Sequence, residues 1–221
     1  MNATLPIAGP RYSVGDELAS SVIHGIGIVL SIAGLATLVG FTARHGDVRV
    51  IAASAVYGTT LILLYTASTL YHSISVAKAK PTLRTLDHIA IFLLITGTYT
   101  PFTLIALPGA WGWSLFIAVW TMALLGSALE VGPLKRYRKF AVLLYVGMGW
   151  IGMIAFKPLS AYLQSGGTTL LIAGGLAYTL GVPFYLWRKL PYHHSLWHLC
   201  VLTGSVLHFL AVLLYVIPDP A

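Results

Sequence analysis

Seven runs of about 20 apolar residues, separated by short gaps, constrain this chain more than any other feature. They cover roughly residues 19–42, 50–73, 87–107, 112–131, 140–157, 168–187 and 195–216. About 20 apolar residues are what a helix needs to cross a bilayer. In hydrocarbon only a helix or a closed barrel satisfies its own backbone. Barrel strands alternate over about ten residues, and these runs do not alternate. The expected fold is therefore all-α, a seven-transmembrane helix bundle forming a single integral membrane domain over residues 1–221. Composition agrees: 57% of residues are apolar and only 9% are charged, against about 25% charged in soluble domains.

The net charge of +7 does not point to nucleic acid, because the basic residues sit in the gaps between runs and read as a topology signal. Arg11, Lys78, Lys80, Arg84, Lys135, Arg136, Arg138, Lys139, Arg188 and Lys189 fall on one side, and Arg44, Arg49 and Lys157 on the other. With positive residues inside, the N-terminus is expected in the cytoplasm and the C-terminus outside. Trp111 and Trp113 fit an outer aromatic belt. Residues 1–17 lack the pattern of a secretory signal. Pro81, Pro108, Pro133, Pro158, Pro191 and Pro218 lie in or beside gaps and read as helix stops, whereas Pro101 and Pro183 lie inside runs. Cys200 is the only cysteine, so no internal disulfide is possible and it reads as a small core residue. Gly147, Gly149 and Gly152 match a dinucleotide-binding spacing by chance, since no strand precedes them.

An ionisable side chain in or at the edge of a bilayer is costly, so it reads first as functional. The expected topology gathers such residues at one depth. His72 ends the second helix on the cytoplasmic side, with Ser68 one turn deeper. Asp87 and His88 start the third helix, His194 and His198 the seventh, and Glu17 and His24 the first. His194 and His198 are at i and i+4, so one helical face presents both imidazoles to a single ion. A third imidazole, from His72, leaves one tetrahedral position for water, as in a catalytic zinc site. Zinc there polarises a carbonyl and lowers the pKa of its water to about 7. Asp87 is placed to orient that water, and Ser68 to hydrogen-bond it or a developing oxyanion. Three imidazoles also accept Fe, Ni or Cu.

Plainer readings stand beside these. A Ser68 hydroxyl can bond back to its own helix, and Asp87 can simply favour a helix start. His193 and His45 read as solvated loop residues, His88 as interfacial, and His208 as a helix-packing histidine. Glu17 and His24 either line a cavity or pair with each other. Glu130 is expected to meet the basic gap that follows it.

The segments Ser68-Thr-Leu-Tyr-His72, Leu86-Asp87-His88, Gly97-Thr-Tyr-Thr-Pro101-Phe102, His194-Ser-Leu-Trp-His198 and Gly204-Ser-Val-Leu-His208-Phe209 resemble those of the hemolysin III family. That family is the bacterial branch of the progestin and adipoQ receptor superfamily, which includes the adiponectin receptors. The resemblance runs from Glu17 to about Phe209. It implies seven transmembrane helices, an inner N-terminus and zinc held by His72, His194 and His198. It also implies a water held by Asp87 beside Ser68, and a polar pair at Glu17 and His24. Adiponectin receptors resemble zinc hydrolases acting on ceramide amides, and bacterial members look like proteins that influence membrane lipid composition.

Three functions follow as expectations. One is a zinc-dependent, ceramidase-like hydrolase of a lipid amide or ester, with membrane lipids as partners and the bacterial inner (plasma) membrane as its place. Another is a metal-stabilised regulator without turnover. The third is a pore or cytolysin, which the apolar outer halves of the helices do little to support. Asp87, His72 and His24 also suit a short proton relay.

Overall fold

A computed structural model describes residues 12–44, 47–107 and 109–217, without the side chains of Arg138 and Lys139. Arg11, His45, Pro108 and Pro218 lie outside the described residues. The described chain is helical throughout: α1 Val14–Thr42, α2 Val48–Ser73, α3 Lys80–Pro101, α4 Gly109–Ala128, α5 Ala141–Trp150, α6 Phe156–Leu186 and α7 His193–Ala211. Short π-helical turns prolong α3 over Phe102–Ala106 and α7 over Val212–Val216, and 3-10 turns precede and follow α5.

Among the described residues, six segments are long and apolar enough to cross a membrane. Many large apolar side chains on their outer faces have no protein cover. On α1 alone Leu18, Val22, Ile26, Val29 and Ile32 are each more than half exposed. Water does not tolerate such a continuous stripe on a monomer, whereas lipid does. The enclosed helices are α2 and α3, and the main core forms around Tyr57, Leu61, Leu64, Tyr65 and Leu94.

One of the six segments, Ala141–Leu186, is 46 residues long and covers the two runs expected at 140–157 and 168–187. Pro158 does not separate them. It sits in the first turn of α6, where a missing N–H leaves no hydrogen bond unmade. The break falls instead at Gln164, whose φ of 56° and ψ of −172° are not helical. The chain turns back there. Trp150 Nε1 donates to Thr179 Oγ1 at 2.9 Å, although 29 residues of straight helix would hold them about 43 Å apart. Pro81 likewise opens a helix, standing in the first turn of α3.

Candidate metal centre

Four helix ends converge at one end of the bundle. The last turn of α2 brings His72, the first two turns of α7 bring His194 and His198, and α1 and α3 bring Glu17, His24 and Asp87. All of these except Glu17 are buried. Nitrogens of His72, His194 and His198 lie within 4.8 Å of one another. The closest pair, His72 Nε2 and His198 Nε2, is 3.0 Å apart. A tetrahedral ion with bonds of about 2.0–2.1 Å sets its nitrogens about 3.4 Å apart. The three rings therefore need shifts of only about an ångström to share one cation.

The ring orientation supports the same use. His72 Nδ1 donates to Glu17 Oε2 at 2.6 Å. With Nδ1 so engaged, the other nitrogen faces the cluster with its lone pair, the arrangement in which a carboxylate orients a metal-binding histidine. Lys80 Nζ donates to the second Glu17 oxygen at 3.1 Å and to the Tyr71 carbonyl at 2.5 Å, so it fixes the carboxylate in turn. Glu17 thus pairs with His72 rather than with His24.

His24 packs deeper. Its ring meets His198 edge-on at 3.8 Å and Tyr65 at 5.0 Å. Gly27, one turn on, lets the Tyr65 ring lie against α1, where a Cβ would collide with it.

Three contributors escape a reading of the sequence. Asp16, buried, caps α7 from another helix. Its carboxylate accepts the Ser195 amide at 2.9 Å and the Ser195 hydroxyl, while Ser20 Oγ lies 3.2 Å from Ser195 Oγ. α7 needs this, because Tyr192 enters it in a left-handed conformation and supplies no cap of its own. A helix that starts at Pro-Tyr-His-His without a Ser, Thr, Asp or Asn before it is the one signal that pointed to a borrowed cap. The second contributor is Tyr12, stacked on His194 with ring centroids 4.1 Å apart. Lys80, counted above only as a topology charge, is the third.

Asp87 is buried beside Ser68, within electrostatic reach of His72, His88 and Arg84. The Ser68 hydroxyl makes no hydrogen bond of ordinary geometry among the described residues, so it does not bond back to its own helix. His88 Nδ1 is 3.2 Å from an oxygen of Glu130, which is fully buried. Glu130 therefore reaches α3, and the fourth helix end is tied beside Asp87. His193 is not a solvated loop residue: it is buried and Nδ1 donates to the Phe184 carbonyl at 3.0 Å, because the end of α6 turns over it. His208 is buried against α6, with Nε2 donating to the Leu171 carbonyl at 3.0 Å.

A cavity of about 480 Å³ adjoins the cluster. His24, Asp87, His194 and His198 line its polar end, and side chains of α3, α5, α6 and α7 continue it toward the middle of the bundle. Three imidazoles that could hold a metal ion, a carboxylate close by and a largely apolar cavity thus adjoin one another.

Comparison with known proteins gives the family. A family model described as haemolysin-III related matches residues 12–209. The chain is 45% identical over 205 residues to Hemolysin-3 of Bacillus cereus, across 93% of this chain and 94% of that protein. It is 42% identical over 209 residues to the Hemolysin-3 homolog of Bacillus subtilis (strain 168), across 95% and 98%. The human monocyte to macrophage differentiation factor is 27% identical over 230 residues, across 100% of this chain and 93% of the human protein. This distant relation supports the wider progestin and adipoQ receptor superfamily.

Proposed function

The chain is an integral membrane protein of the haemolysin-III related family, and on that footing we propose that it is a zinc-dependent hydrolase of a lipid amide or ester, working at the cytoplasmic face of the plasma (inner) membrane. The observation that carries this reading is the joint placement of three convergent imidazoles, one of them oriented by Glu17, and the Asp87 carboxylate at the mouth of an apolar cavity.

Seven membrane passes are part of the proposal. α1, α3 and α7 start at the histidine end and α2 finishes there. α5 starts there as well, since Tyr145 OH donates to the His88 carbonyl at 3.1 Å. α6 finishes there, since Phe184 accepts from His193. A 46-residue segment that begins and ends at one face, and bends at Gln164, makes two crossings. Nine of the twelve Lys and Arg residues among the described ones would then lie at the histidine face, which supports an inner position for that face and for the N-terminus.

In the proposed reaction each residue has a physical task. His72, His194 and His198 would hold the ion, and three imidazoles with a fourth position left open fit a catalytic zinc. A zinc ion held there would supply Lewis acidity toward a carbonyl and toward a water. Asp87 accepts the proton of the attacking water and passes it to the leaving nitrogen or oxygen. Ser68 donates to the oxygen that gains charge. The cavity takes the acyl chain and keeps bulk water from the reacting centre.

Purified protein, assayed on lipid amides and esters with zinc present, tests this. Turnover by wild type and loss of at least about a hundredfold in Asp87→Ala is the expected result; equal turnover by both rejects the mechanism. A second reading, a metal-stabilised regulator without turnover, is favoured by the way the ion would clamp α2 to α7. It predicts bound zinc, a stability drop on chelation and no product from any lipid. A pore is opposed by the way the buried hydroxyls of the distal halves, Ser31, Thr96, Thr98, Thr100 and Thr103, bond back to their own helices instead of facing a polar path.

A further inference from the structure

The polar end of the 480 Å³ cavity carries more positive charge than the proposed reaction uses. Besides the histidines and Asp87, two guanidinium groups line it: Arg84, one turn before Asp87 and His88 on α3, and Arg188, just past the end of α6. Asp87 is the only carboxylate in the lining. Glu130 stands behind His88, outside the cavity wall. Arg188 makes no ion pair among the described residues and is exposed at the mouth. Lys189, its neighbour in sequence, does not line the cavity.

Two fixed positive charges against one negative leave the mouth with a surplus, and a divalent ion in the histidine cluster would enlarge it. Charge in a cavity with low-dielectric walls is stabilised by an opposite charge, and its field concentrates ligands of that sign. A guanidinium also matches phosphate or carboxylate oxygens in a two-pronged contact. Past the mouth the lining turns apolar, with Ile91, Leu94, Ile95, Val146, Val182 and Val201. From Arg84 to Thr98, both in the lining, α3 rises about 21 Å, somewhat more than half of a hydrocarbon core of about 30 Å.

From this we infer that the site takes an acyl lipid with an anionic headgroup, a phosphate or a carboxylate held by Arg84 and Arg188, and does not serve neutral lipids equally. The inference rests on the hydrolase reading for what happens to the acyl bond, but the recognition itself needs neither metal nor turnover. The headgroup sits at the arginines, the acyl bond lies between them and the histidine cluster, and the chain runs down the cavity.

Native mass spectrometry of the full chain in neutral detergent provides the test. The probes share one acyl chain: lysophosphatidylglycerol, the free fatty acid, lysophosphatidylcholine and monoacylglycerol. Glycerol phosphate is added as a headgroup without a chain. The two anionic lipids are expected to bind on the order of tenfold more tightly than monoacylglycerol, and lysophosphatidylcholine to fall between. Arg188→Gln, at an exposed position where folding is not at stake, should remove most of that preference, and Arg84→Gln should remove it also. Comparing the two anionic lipids separates phosphate from carboxylate. Equal binding of anionic and neutral lipids, a preference untouched in both variants, no binding of any probe, or glycerol phosphate binding as tightly as the lipid would each overturn the assignment. His198→Ala separates the two proposals. If the anionic preference survives there while wild type hydrolyses no lipid, the hydrolase reading fails and the headgroup site stands. If neutral and anionic amides are turned over alike, the reverse holds.

Discussion

On one side of the histidine cluster, α1, α2 and α7 are joined by polar contacts between residues far apart in sequence. Glu17 meets His72, Asp16 and Ser20 meet Ser195, and Tyr65 OH donates to Ser205 Oγ at 2.7 Å. On the other side, the hydrogen bonds that tie α5 and α6 to the rest of the bundle, such as Tyr145 to His88, Tyr178 to Ser205 and His208 to Leu171, involve no carboxylate. Of the most apolar stretches, 28% is buried in α1, 50% in α2 and 39% in the segment of α7, but only 17% in Ala141–Leu186. The difference matches two demands. Ligands to one ion must be held to within about half an ångström, which takes supporting hydrogen bonds. A wall that admits a lipid chain needs only shape and apolarity, and gains from being able to move.

The largest expected effect comes from removing the ion. Binding at a thousand times Kd stabilises by about 4 kcal/mol, and for a chain of this size each kcal/mol moves Tm by about 2–4 °C. Chelation should therefore lower Tm by roughly 8–16 °C. Hydrogen exchange should rise in the last turn of α2 and the first turns of α7, and hardly at all in α5 and α6. Uniform loosening would show that the two walls are not distinct. His72→Ala should behave like the chelated wild type and should not respond to added zinc.

Next comes the support beneath a ligand. Glu17→Gln keeps the shape but weakens the hold on His72, and loss of such a partner typically costs 10- to 100-fold in metal affinity. Zinc titration against a competing chelator measures it. An unchanged affinity would mean that the His72–Glu17 contact merely packs the two helices.

Asp16→Ala isolates the cap on α7. Losing an N-cap costs about 0.5–2 kcal/mol, which corresponds to a fall in Tm of roughly 1–8 °C. Because Asp16 touches Ser195 and none of the three histidines directly, the zinc stoichiometry should persist. Thermal melting with and without zinc checks both halves of that statement.

How much of this was legible in the sequence follows from the range of the forces involved. Helix positions depend on the length of apolar runs, a local property, and the expected spans lie within or close to the observed helices. The pairing of His194 with His198 is legible for the same reason, since a single helix sets it. His72 joined them only through topology, by asking which helix ends share a face. The cap from Asp16 to Ser195 spans 179 residues, and the stacking of Tyr12 on His194 depends on how the chain enters α1; neither leaves a local pattern. Prolines misled for a physical reason. Pro81 and Pro158 are as well suited to a first helical turn as to a stop, so the turn between the runs 140–157 and 168–187 was placed beside Pro158 and lies instead at Gln164, inside α6.

The smallest effect is expected on the looser wall. Trp150→Phe removes the indole N–H that reaches Thr179 while keeping an aromatic ring beside Gly175, and the net value of such a bond is about 0.5–1.5 kcal/mol. Tm should fall by no more than roughly 6 °C, and zinc affinity should stay at the wild-type value, because the bond that is lost joins α5 to α6 and involves none of His72, His194 or His198. Trp150 and Thr179 both line the cavity, so binding of an acyl probe should change where metal binding does not. A variant that loses zinc as readily as Glu17→Gln would mean that α5 and α6 position the ligands too, and the division between a braced wall and a yielding one would have to be abandoned.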